Sequence, residues 1–124
     1  MEACRAILIV EDDQNLRDSL QTVLEAEGYH VLTASNGKEA LELLPKLEPP
    51  GLILLDLTMP VMSGLEFLEA FCVHPSSSIP VIVVSAVAAE TDIPKFVTAV
   101  VHKPYDIDFL LGLVRKHCGH PRTS

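Results

Sequence analysis

The chain has 124 residues, 48% of them apolar, with nine basic against seventeen acidic side chains and a formal net charge of −8. That length and apolar content fit one folded domain with a layered core and exclude a disordered tract. No apolar run approaches the roughly 20 residues needed to cross a bilayer, the opening Met1-Glu2-Ala3-Cys4-Arg5 lacks a leader's basic-then-apolar layout, and the acidic balance disfavours direct nucleic-acid binding. A cytoplasmic domain that meets protein partners or gathers a divalent cation is the expectation.

In chain order, Ala6-Ile7-Leu8-Ile9-Val10 predicts a buried strand that ends at Glu11-Asp12-Asp13. From Asp13 to Glu27, helical spacing puts Leu16, Leu20, Val23 and Leu24 on one face, with Asp13 as N-cap and Gly28 just past the end. Tyr29 to Ala34 reads as a short strand, Asn36-Gly37 as a turn, and Lys38 to Leu47 as a helix with Ala40, Leu41, Leu44 and Leu47 inward. Leu52 to Asp56 is a continuous apolar run closed by one carboxylate, bounded by Pro49, Pro50 and Gly51 before and Pro60 after, which predicts a strand buried on both faces. Leu65, Phe67, Leu68 and Phe71 mark the next helix, His74 to Ser78 a loop, and Val81-Ile82-Val83-Val84 a strand ending at Ser85. Residues Ala86 to Phe96 contain Pro94, so a helix there is expected to be short or irregular. Val97 to Val101 predicts the fifth strand, with Val100 and Val101 as core, and Ile107 to Cys118 a last helix with Ile107, Leu110, Leu111 and Val114 inward. Gly119 to Ser124 reads as a flexible tail.

Five β-α units imply a parallel sheet covered by helices on both faces. Cys4, Cys72 and Cys118 are odd in number and far apart; they read as reduced packing or surface residues, neither a disulfide framework nor a metal cluster. The five histidines are scattered and form no site.

Four of the five strands end in a polar group: Glu11-Asp12, Asp56, Ser85 and Lys103. In a parallel sheet all strand C-termini share one edge, where ligands bind. Three carboxylates brought close would repel unless a cation sat among them. An all-oxygen set suits Mg²⁺, and a lysine and a hydroxyl opposite suit a phosphoryl group with an aspartate as its acceptor.

These pieces in this order, with Asp56 inside Asp56-Leu57-Thr58-Met59-Pro60-Val61-Met62-Ser63-Gly64 and Lys103 before Pro104, resemble the receiver domain of two-component response regulators, over about Ala6 to Cys118. The resemblance implies a three-layer, doubly wound (βα)5 flavodoxin-like α/β fold with strand order 2-1-3-4-5. It makes residues 1–124 a single receiver domain with a core at about 6–118. It implies a phosphoryl group taken from a histidine kinase's phosphohistidine onto Asp56. Lys103 and Ser85 would assist. Mg²⁺ would be held by Asp12, Asp56 and the Thr58 backbone carbonyl, and by Glu11 through water. The Lys103–Pro104 peptide would often be cis. The implied partners are a histidine kinase or phosphotransfer protein and a downstream protein, with a homodimer left open and no nucleic acid or membrane; the domain would not be an enzyme acting on an external substrate.

The chain departs from the family where Val100 replaces the usual aromatic three positions before Lys103, where Ser63 replaces an aspartate, and where the stretch from Ser85 to Lys103 is about one helical turn short. Two other readings stand beside the leading one. A phosphatase with an aspartyl intermediate would need a second acid two positions after Asp56, where this chain has Thr58. A degenerate receiver would bind partners without phosphorylation.

Overall fold

The computed structural model describes residues 4–46, 50–56, 64–71, 78–85 and 97–119. Its elements are β1 (Ile7–Val10), α1 (Gln14–Ala26), β2 (Val31–Ala34), α2 (Gly37–Leu43) with a 3-10 turn Leu44–Lys46, β3 (Leu52–Asp56), α3 (Gly64–Phe71), β4 (Val81–Ser85), β5 (Ala99–His102) and α4 (Ile107–Cys118). The five strands pair in parallel in the order β2-β1-β3-β4-β5, the order the resemblance implies. Residues 86–96, where a short or irregular helix is expected, lie outside the described residues.

Continuous apolar runs make the central strands because both faces are covered. Ile7 to Val10 and Leu52 to Leu55 are all buried. Alternate residues feed two cores. Leu8, Val10, Ile53 and Leu55 pack with Ala40, Leu44, Phe67, Leu68 and Phe71 of α2, its 3-10 extension and α3. Ile7, Ile9, Leu52 and Leu54 pack with Leu20 and Leu24 of α1 and Leu110, Leu111 and Val114 of α4. This is the three-layer doubly wound arrangement. Each fully buried Leu, Ile or Phe side chain contributes roughly 1.5–3 kcal/mol.

Local chemistry sets the helix ends. Asp13 caps α1 by accepting from the Leu16 amide at 3.1 Å, and Gly28 takes a positive φ of 97° just past its end. Asn36 is not a turn residue: it is the N-cap of α2, its side chain accepting from the Glu39 amide at 2.8 Å. Turns and caps use the same Asx hydrogen bond, so the sequence does not separate them.

Four further expectations are corrected. Cys4 and Cys118 are joined in a disulfide, with Cα atoms 4.9 Å apart. Gly119 is buried and is held by Tyr29, whose hydroxyl donates to the Gly119 carbonyl at 2.7 Å, so the tail cannot begin there; residues 120–124 lie outside the described residues. Strand β5 runs two residues later at its start than the apolar pattern implies, and Val100 is 37% exposed beside a buried Val101, because an edge strand alternates its faces. Ile107, at the first position of α4, is also 37% exposed.

Candidate functional site

Register brings the acids together. Val10 pairs with Leu55, so one step further Glu11 and Asp56 stand level where the two strands leave the sheet. The Glu11 amide continues the ladder to the Ala34 carbonyl at 3.1 Å, and Asp56, still in β3, pairs with Val84. Both carboxylates are buried, Glu11 at 3% and Asp56 at 7% exposure. Asp12 is exposed beside them, and one carboxylate oxygen from each of the three lies within 4.8 Å of the others.

Lys103 follows the last residue of β5 and meets this group. Its ammonium stands 3.6 Å from Glu11 Oε1 and 3.6 Å from Asp56 Oδ1, the spacing of ion pairs rather than of short hydrogen bonds. The Lys103–Pro104 peptide is cis. Ser85 pairs with His102, one residue before Lys103, so its backbone reaches the same rim. The Ser85 hydroxyl and all of Thr58 lie outside the described groups. Glu11, Asp12, Asp56 and Lys103, among the residues expected to act, are thus brought together.

Two buried carboxylates share one ammonium, with the carboxylate of Asp12 beside them, which leaves excess negative charge in a partly dry place. Its mark is on Glu11, whose carboxyl is pushed up from 4.5 to about 8, first by burial and then by its hydrogen bond with Asp56, against the pull of the Asp13 amide and Lys103. With no cation present, Glu11 therefore holds a proton at neutral pH. A divalent cation would take that proton's place, and the donor set, entirely oxygen with two buried carboxylates, fits Mg²⁺.

Two supporting residues escaped the sequence reading. Arg17, one turn into α1, donates from Nη1 to the Glu11 carbonyl at 2.8 Å, while the Asp13 amide donates to Glu11 Oε2 at 3.2 Å; together they fix the acid's backbone and side chain. Tyr105 closes an apolar cleft under the acids, with Leu20, Leu54 and Val84, and burial pushes its hydroxyl pKa up, with the charge of Glu11 adding to the shift. The spacing of Arg17 from Asp13 on α1 was a readable signal; Tyr105 lies between two elements and carried none.

The response regulator receiver domain model matches residues 7–115. The chain is 39% identical to sporulation initiation phosphotransferase F of Bacillus subtilis over 116 residues, which is 90% of this chain and 91% of that one. Against three longer regulatory proteins it spans only 26% to 38% of the relative's length. A response regulator receiver protein from Pseudomonas putida superposes with a TM-score of 0.86 at 28% identity, over 94% of this chain and 99% of that one. The response regulator TrrA of Thermotoga maritima, solved in complex with Mg²⁺-BeF, has a TM-score of 0.80 at 30% identity, over 90% of this chain and 97% of that one. On the parallel sheet, the acidic rim and these matches, the chain belongs to the response regulator receiver domain family of two-component signalling.

Proposed function

We propose that this chain is a phosphoacceptor receiver, with Asp56 taking a phosphoryl group from the phosphohistidine of a histidine kinase or phosphotransfer protein. The observation that supports it most is Lys103, whose ammonium faces both buried carboxylates at 3.6 Å. A carboxylate oxygen of Asp56 attacks phosphorus in line. The O–P bond forms as the P–N bond breaks, and the histidine nitrogen keeps the electron pair. Lys103 pairs with the phosphoryl oxygens that now carry the charge, and the hydroxyl of Ser85 donates to one of them. Mg²⁺, held by Asp12, Asp56 and the Thr58 carbonyl and through water by Glu11, supplies positive charge to the phosphoryl oxygens when bound. Arg17 and the Asp13 amide keep Glu11 aimed at the site.

The domain turns over only its own phosphoryl group and passes the signal on by docking to another protein, in the cytoplasm, with residues 1–124 acting as one receiver unit. Incubation with Mg²⁺ and acetyl phosphate tests this. The expected product is an acid-stable, base-labile adduct of one phosphoryl group, absent from Asp56→Ala and absent without Mg²⁺. No adduct on the wild-type chain, together with unchanged partner binding, would make it a phosphorylation-independent docking module.

A further inference from the structure

The rim opposite the acids holds a second chemical site. Cys4, ahead of β1, and Cys118, the last residue of α4, are bonded across 114 positions with Cα atoms 4.9 Å apart, within the span a disulfide accepts. Gly51 sits beside the bond. A Cβ at Gly51 would stand 2.7 Å from Cys118 Sγ and 3.3 Å from Cys4 Sγ, so only glycine lets β3 begin there with the sulfurs joined. The Gly51 amide also donates to the Ala6 carbonyl at 2.7 Å. Two more contacts seize the same end of α4: Tyr29 Oη to the Gly119 carbonyl at 2.7 Å, and Arg115 Nη2 to Glu27 Oε1 at 2.8 Å. Cys4 is 3% exposed, whereas Cys118 is half-buried, so Cys118 is the more open of the two residues.

We propose that Cys4 and Cys118 are a reversible thiol–disulfide site whose closure clasps the last turn of α4 to the rim where the strands begin, and whose opening by a dithiol of the thioredoxin class releases that turn. The thiolate of the dithiol attacks Cys118 Sγ, and the S–S bond breaks with its electron pair going to Cys4, which takes a proton. The second thiol of the reductant then attacks the reductant sulfur of the mixed disulfide. It expels Cys118 as a thiol and leaves the reductant oxidised, a balanced two-electron exchange. Upstream of the clasp, α4 keeps its own anchors: the Asp106 cap and the buried Leu110, Leu111 and Val114. Opening therefore acts on residues 115–119 and leaves the sheet in place. In a glutathione-poised compartment, the location proposed above, disulfides are usually transient and catalytic or redox-sensing, and a reversible clasp belongs to that regime. The clasp stands apart from the acidic rim and requires nothing of the phosphoacceptor chemistry.

The full chain, oxidised with glutathione disulfide, is denatured in iodoacetamide and weighed. One alkyl group is expected, on Cys72, and three after the folded protein has met reduced thioredoxin. Steady-state ¹H–¹⁵N NOE values for residues 115–119 should fall by at least a third on opening while those of the five strands hold. Cys4→Ser/Cys118→Ser should show the opened values with or without dithiol. Gly51→Ala should shift the thiol–disulfide equilibrium in glutathione buffer toward the thiols by at least ten-fold. Three alkyl groups on the oxidised chain, one that persists after thioredoxin, or unchanged NOE values at 115–119 would each overturn the proposal.

Discussion

The two rims of the sheet follow opposite rules. Where the strands end, Glu11 and Asp56 share one ammonium with Asp12 beside them, and burial together with the neighbouring Asp56 makes one carboxyl, Glu11, hold its proton to about pH 8. Where the strands begin, the contacts close the structure: a disulfide, a buried tyrosine hydroxyl on a carbonyl, and a glycine where a Cβ would run into the sulfurs. Like charges held close make a poor stabiliser and a good cation and phosphoryl site, because a ligand can relieve them. The same fold keeps reactivity at one edge and covalent closure at the other, so each can be altered with little effect on its opposite.

The largest effect on the chemistry should come at the acidic rim. Lys103→Met removes the cation that balances the phosphoryl charge, and the rate of adduct formation from acetyl phosphate should fall by about 10²–10³, the range seen when one charge-stabilising group is lost. A rate within a few-fold of wild type would mean that Lys103 serves only to hold Glu11 and Asp56 in place.

The opposite rim should answer to stability alone. Reduction, or Cys4→Ser/Cys118→Ser, opens a loop of more than 100 residues in the unfolded chain, which the chain-entropy argument values at about 4–5 kcal/mol. The denaturant midpoint should drop accordingly, with adduct formation at Asp56 unchanged within about two-fold under native conditions. Loss of both together would show that the rims are not separable.

How much of this was legible in the sequence follows the same division. The acidic rim could be read because a carboxylate that terminates an apolar run is costly unless used, and Glu11 and Asp56 each close one. The parallel sheet then needed only strands and helices in alternation, and its strand order came from the family resemblance. The other rim could not be read. Cys4 and Cys118 are separated by nearly the whole chain, and no local spacing reports that its ends meet. An odd cysteine count pointed the wrong way, since the third, Cys72, hid a pair. Gly51 looked like a strand boundary, when its lack of a Cβ is what admits the sulfurs. The edge strand β5 was misjudged for a milder reason: a run of valines does not say which faces water, and Val100 does while Val101 does not.

A finer comparison uses protons. In metal-free protein Glu11 binds its proton more tightly folded than unfolded between pH 4.5 and about 8. The folded state then carries more protons across that window, so stability falls as pH rises through it, by on the order of a few kcal/mol in all. Glu11→Gln should remove the slope. At pH 7, Mg²⁺ binding should release close to one proton, read by calorimetry in buffers of different ionisation enthalpy, and Glu11→Gln should release almost none. Opening the Cys4–Cys118 bond should leave both results unchanged.

The smallest effects separate the two weaker ties at the closed rim. Tyr29 is buried, and Tyr29→Phe removes the donor to a buried carbonyl at the end of α4, at a cost of about 1–3 kcal/mol in chemical unfolding. Arg115 and Glu27 are about as close, at 2.8 Å, but their side chains are 57% and 39% exposed. Water already solvates both charges and salt screens them, so Arg115→Ala should cost about 0–1 kcal/mol, and less still at high ionic strength. The order of the two effects is the informative result. If Arg115→Ala costs more than Tyr29→Phe, the last turn of α4 is held from its solvent side, and the clasp owes less to burial than the packing around Cys4 and Gly51 implies.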